Sequence, residues 1–274
     1  MIVDTHAHIY SPDEATYPPV AKPYRPPAGT GTPDHLKREA LAAGVDRVMM
    51  VQTSSFYGWD NRLIRDIAAA ARDWAVGVCT LEPDHPHSPE VLYSLVQRSN
   101  VRALRTECAG PRRVVYDHQG NRRLYAAARE LGVVINAMLS AESADQLARM
   151  LADFPRLPVV LDHCLGLSAG PSYNATMRAV IDLAQFANVY AKVDFLPTGS
   201  TEEYPFHDMH DALHRIVDAY GPDRCVWGSS FPTELWCPKV TYASHLRLFS
   251  EELGFSTGEQ AALLGDTAAR VYRL

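Results

Sequence analysis

Eight short apolar runs, separated by longer stretches of helical period, constrain this chain more than any other feature. The runs are Ile2 to His6, Arg47 to Gln52, Val76 to Leu81, Val101 to Thr106, Val133 to Met138, Val159 to His163, Val189 to Asp194 and Cys225 to Ser229. Near-continuous apolar character over five or six residues suits strands buried on both faces, as in parallel sheets. Between them Leu63, Ile64, Ile67, Ala68 and Ala71 recur at spacings of three and four, placing a helix from Asp60-Asn61 to Trp74. Pro33-Asp34 opens a helical segment ending at Gly44, Ser88-Pro89-Glu90 opens one running to Arg98, and Gly132 stops one that starts near Asn121. Ser256 and Glu259 form a capping-box pattern before the last helices. Eight strand-helix units in 274 residues predict an α/β chain, a single (β/α)8 TIM barrel over residues 1–274. A doubly wound sheet is the competing arrangement.

One segment breaks the rhythm. From Tyr10 to Pro33 there are seven prolines and no apolar period, so a long loop follows strand one. It leaves the carboxyl end of that strand, the active-site face of a barrel. It is expected either as a lid or pocket wall carrying Tyr10, Tyr17 and Tyr24, or as a belt that packs the rim.

Composition narrows the function classes. No stretch approaches the ~18 apolar residues of a membrane helix, and Met1-Ile2-Val3-Asp4 has neither a basic region nor an apolar signal core, so a cytoplasmic protein is expected. A net charge of −6 with no Lys/Arg block argues against a nucleic-acid partner. The five cysteines are scattered and form no C-x-x-C pair, so they read as small buried residues. No surface seam fixes an oligomeric state.

The candidate chemistry lies at strand ends. In Asp4-Thr5-His6-Ala7-His8 a period of two puts both imidazoles on one face, able to hold one metal ion or one substrate oxygen. His163 ends strand six before Gly166 turns the chain, and belongs to the same rim; Asp162 should point the other way. Arg102 and Arg105 in strand four need partners if buried. Arg105 could pair with Glu107 or Asp194, or, with Arg112 and Arg113, grip a carboxylated substrate. Strand seven alternates, with Val189, Ala191 and Val193 toward the helices and Tyr190, Lys192 and Asp194 inward. Lys192 is one of only four lysines, and at such a place Lys192 and Asp194 are candidates for substrate binding or catalysis, or for a structural ion pair.

These residues sit in phrases with a family likeness: Val3-Asp4-Thr5-His6-Ala7-His8, the segment from Gln52 to Asn61, the strand Val101 to Arg105, Val159-Val160-Leu161-Asp162-His163, Trp227-Gly228-Ser229-Ser230-Phe231-Pro232, and Gly265-Asp266-Thr267-Ala268-Ala269-Arg270. The chain resembles the amidohydrolase superfamily, in its amidohydrolase-2 type family, near the 2-pyrone-4,6-dicarboxylate lactonase branch. That resemblance implies a substrate pocket lined in part by Ser54 and Tyr57. It also exposes two departures. Asn136 stands on strand five where metal-dependent relatives carry histidine, and Ser230 replaces the strand-eight aspartate. A neutral hydroxyl cannot serve as that carboxylate ligand or base.

The expectation is therefore a hydrolase of a small anionic lactone or related cyclic carbonyl compound. His163 would activate water, and His6, His8 and Arg105 would stabilise the oxyanion. Asp194, Glu107 or His163 itself would take over the base role lost at Ser230. Ser54, Tyr57, Arg112, Asn136 and Lys192 join His6 and His8 as substrate contacts. The leading reading needs no cofactor; the alternative is one zinc ion on His6, His8 and His163. Other functions open to the same residues are a non-hydrolytic enzyme (decarboxylase, cyclase or dehydratase) or a silent small-molecule binder.

Overall fold

A computed structural model describes residues 1–108 and 115–274. All eight apolar runs are strands: β1 Val3–Ala7, β2 Arg47–Val51, β3 Ala75–Thr80, β4 Val101–Glu107, β5 Val134–Met138, β6 Val159–Leu161, β7 Val189–Lys192 and β8 Cys225–Val226. They form one parallel sheet in the order β1 to β8. The edges come together at the strand-eight end, where Thr5 N donates to the Trp227 carbonyl at 3.1 Å and His8 N to that of Phe231 at 2.7 Å. The result is a nearly closed (β/α)8 barrel. Gly228 permits this closure, because a Cβ there would lie 2.7 Å from the Cβ of His6.

Helices Pro33–Ala42, Arg62–Ala70, Ser88–Arg98, Gln119–Leu131, Ala144–Asp153, Tyr173–Leu183 and His210–Tyr220 carry the crossovers. The side chain of Thr32 caps the first by accepting from His35 N, Gly132 closes the helix from Gln119 at φ 67°, and the Ser256/Glu259 capping box is formed. The helix expected from Asp60 to Trp74 is shorter and ends at Ala70. No helix among the described residues is long and apolar enough to cross a membrane.

Strand alternation divides the core in two. Leu104, Ile135, Leu161, Ala191 and Val193 point outward to the helices. Val3, Met49, Val51, Val76, Val78, Ala103, Val134, Val160 and Val226 fill the barrel, joined by Ala268, Val271 and Tyr272 from the last helix, Thr267–Tyr272. Two residues further along four adjacent strands the inward positions become Arg105, Asn136, Asp162 and Lys192, all buried. A polar layer thus rests on the apolar one, directly below the carboxyl ends of the strands.

In β1 the register shifts between Asp4 and Ala7. Val3 belongs to the interior while Ala7, four residues on, belongs to the outer core, so the irregularity reverses the phase and lets His6 and His8 face inward above Val3. The proline-rich loop packs behind the pocket wall: Val20 N and Tyr24 N donate to the carbonyls of Phe56 and Ser55. None of its described residues lines the main cavity, so of the two expectations the packing belt describes it.

Candidate active site

A cavity of about 800 Å³ opens at the carboxyl ends of the strands, lined by His6, His8, Thr53, Ser54, Arg105, Glu107, His163, Ser230 and Trp236, with Met138, Leu139, Leu165 and Leu167 among the apolar residues. Strand six stops at Leu161, and the chain then makes a left-handed turn with φ of 52° at His163, 44° at Cys164 and 61° at Leu165. The expected turn at Gly166 therefore begins three residues earlier, on non-glycine residues for which this conformation is costly. Its effect is to set His163 over the barrel mouth.

Two arrangements face one another there. On one side His163 Nδ1 lies 3.0 Å from Asp194 Oδ1, while Ser230 Oγ donates to Asp194 Oδ2 at 3.4 Å. A carboxylate only accepts, so in the neutral ring the His163 proton sits on Nδ1 and Nε2 keeps its lone pair. On the other side the His6 ring packs against that of His163 with centroids 4.5 Å apart. His6 Nε2 is 3.1 Å from His8 Nε2, and His8 Nδ1 is 2.9 Å from the Val51 carbonyl oxygen. Asp4 anchors this strand end, accepting from His6 N, Ser229 N, Ser229 Oγ and Tyr242 Oη.

The polar layer beneath is an ion cluster. Lys192 Nζ donates to Asp162 Oδ1 at 2.6 Å and lies 3.1 Å from His6 Nδ1. Arg105 Nε is 3.1 Å from Asp162 Oδ2. Burial pushes the Asp162 carboxyl up, but the Lys192 and Arg105 cations oppose it and the group is held below its ordinary value. Burial first, and then the nearby cations, push His6 well down and His8 down to about 3.

That depression makes an acid-stability prediction. His8, and the buried His245, which is held at about 4, stay neutral in the fold but protonate in the unfolded chain near pH 6.5. Their contribution is complete above that pH and is lost as pH falls toward their folded values. At pH 5 each costs about 2 kcal/mol, together lowering Tm by roughly 10 °C relative to pH 7.5. Calorimetry at the two pH values checks this; a flat Tm would contradict the neutral burial of the two rings.

Several expected contacts are placed differently. Arg105 pairs with Asp162, not with Glu107 or Asp194, because the inward alternation brings those two side chains into one layer. Lys192 is fully buried beneath the cavity and is not a wall residue. Asn136 is also below it, its Oδ1 accepting from Tyr272 Oη at 3.0 Å. The Tyr57 hydroxyl accepts from Ser11 N, so that side chain holds the loop instead of the cavity. Asp194 is behind His163 instead of on the wall. Ser54 is on the wall and donates to Glu107 Oε1 at 2.8 Å. Arg112 and Arg113 lie outside the described residues. Thr53, 3.1 Å from His8 Nδ1, and Trp236 were not anticipated; Thr53 follows strand two closely enough to have been inferred, whereas nothing in the sequence singles out Trp236.

Among the described residues, the group whose possible metal-binding atoms lie within 4.8 Å of one another is His6, His163 and Asp194; Asp194, instead of His8, completes it. Metal-bound histidines give their second ring N–H to a carboxylate or carbonyl. His163 Nδ1 has the Asp194 carboxylate and His8 Nδ1 the Val51 carbonyl, as that rule requires, but His6 Nδ1 meets the Lys192 ammonium. His6 is the member of the set that does not fit a resident ion.

The fold and the strand-end site define a class, the amidohydrolase-type barrel. The amidohydrolase family model matches residues 3–274, and the chain belongs to that family. A stretch of 132 residues is 28% identical to the uncharacterised protein y4mH of Sinorhizobium fredii, covering 47% of this chain and 43% of that protein; the chain thus spans under half the length of that relative. Among solved structures, a candidate 2-pyrone-4,6-dicarboxylic acid hydrolase from Pseudomonas putida is 22% identical with a TM-score of 0.81, covering 99% of this chain and 97% of that one. An amidohydrolase from Burkholderia multivorans with bound zinc is 21% identical with a TM-score of 0.79, covering 100% and 99%.

Proposed function

We propose that the chain is a metal-independent hydrolase of a small carboxylated lactone. The observation that carries this reading is the Asp194–His163 pair at 3.0 Å, facing His6 across the mouth of the cavity. Asp194 holds the proton on Nδ1, so His163 Nε2 is a base directed at a water molecule. The water oxygen adds to the lactone carbonyl carbon as His163 takes its proton. Arg105 and the His6 ring N–H stabilise the oxyanion. The ring C–O bond then breaks, and the leaving oxygen takes the proton back from His163. Ser230 donates its hydroxyl to Asp194 and helps to fix that carboxylate. Arg105, a cation that lines the cavity beside a neutral pair of histidines, supports a carboxylate on the substrate.

The test is a panel of carboxylated lactones, 2-pyrone-4,6-dicarboxylate included, and aromatic carboxylic acids, followed by chromatography. Ring-opened acids are the expected products. Carbon dioxide release would establish a decarboxylase, and ligand-dependent stabilisation without product would establish a binder.

A further inference from the structure

The Lys192–His6–His8 chain has a direction, and both ends set it. At one end Lys192 is fully buried and paired with Asp162 at 2.6 Å. An ammonium has three N–H donors and no lone pair. Its 3.1 Å contact with His6 Nδ1 therefore requires a lone pair on that nitrogen, which leaves the His6 proton on Nε2. At the other end the Val51 carbonyl, 2.9 Å from His8 Nδ1, can only accept. It fixes the His8 proton on Nδ1 and leaves a lone pair on Nε2. The two nitrogens that meet in the middle, 3.1 Å apart, are thus a donor on His6 and an acceptor on His8. Had either end been of the opposite kind, two protons or two lone pairs would have faced each other between buried rings.

We propose that Lys192, supported by Asp162, is a positioning residue that holds the His6 proton on Nε2, making the H-x-H pair a directed donor chain instead of a pair of metal ligands. The inference rests on the reading that His6 faces the substrate oxygen. A carbonyl oxygen that replaces His8 Nε2 as the acceptor meets an N–H already in place. A divalent ion at His6 Nε2 would instead require the proton to move to Nδ1, against the ammonium.

The test is the histidine tautomers, read by long-range ¹H–¹⁵N NMR on the ¹⁵N-histidine-labelled full chain, together with zinc titration by calorimetry. In the wild type His6 should show a protonated Nε2 and a bare Nδ1, and His8 the reverse. Lys192→Met should release the His6 proton to Nδ1 and raise zinc affinity by at least about tenfold; Lys192→Arg should restore the wild-type pattern. If the Met variant does not fold, the wild-type spectrum decides alone. A wild-type His6 protonated on Nδ1, or a folded Lys192→Met with tautomers and zinc affinity unchanged, would overturn the proposal. Loss of the hydrolase reading would show separately, as absent lactone turnover with the tautomers as stated.

Discussion

Replacing His163 with asparagine should lower kcat on a carboxylated lactone by about 10³, within the range for removal of a general base, while KM changes little. Asparagine is the informative choice. Residue 163 has φ 52°, a conformation that asparagine and histidine tolerate better than most residues, so the backbone turn survives the change. The side chain is about one-fifth exposed, which limits the loss of packing. Asp194→Asn should act through the same ring: an amide can donate as well as accept, so it no longer holds the His163 proton on Nδ1, and kcat should fall by about 10² or more. Steady-state kinetics with calorimetry on each variant separates these effects from unfolding. A His163→Asn enzyme within a factor of three of wild type would remove the base from the mechanism.

Asp162→Ala should be the most destabilising single substitution in the polar layer. It leaves the Lys192 ammonium and the Arg105 guanidinium buried with no carboxylate between them. Loss of one partner from a buried ion cluster costs about 3–5 kcal/mol, which should lower Tm by roughly 10 °C in a chain of this size. Asp162→Asn keeps an acceptor for Lys192 and should cost less. Thermal denaturation measures both, and a Tm for Asp162→Ala within about 2 °C of wild type would show that the cluster is not held by its charges.

The barrel was legible because each parallel strand is buried on both faces and so prints an apolar run in the sequence. The strand ends were less so. Strand six stops at Leu161 because His163, Cys164 and Leu165 take a left-handed path, and no residue type among them announces it. The inward set of strand seven followed from simple alternation, but its depth did not: Lys192 lies in the layer below the rim, and only the neighbouring strands show this. Asp162 was expected to point away from the rim that His163 joins, but strand six has ended by then and Asp162 is an inward position of the barrel, where Arg105 and Lys192, both distant in sequence, meet it through register alone. Asp194 is one of several groups the sequence offers for the base role at Ser230; in the proposed mechanism its contact with His163 Nδ1 orients the base instead. Tyr57 and Asn136 entered through the family resemblance, and local packing gives them other partners.

The central claim is that water is activated here by a histidine held by Asp194, with no resident metal. The most direct measurement is turnover of a carboxylated lactone in H₂¹⁸O by protein freed of metal with a chelator. The account predicts an undiminished rate and one ¹⁸O atom in the newly formed carboxylate; activity that returns only with added zinc, or a product formed by loss of carbon dioxide, would contradict it.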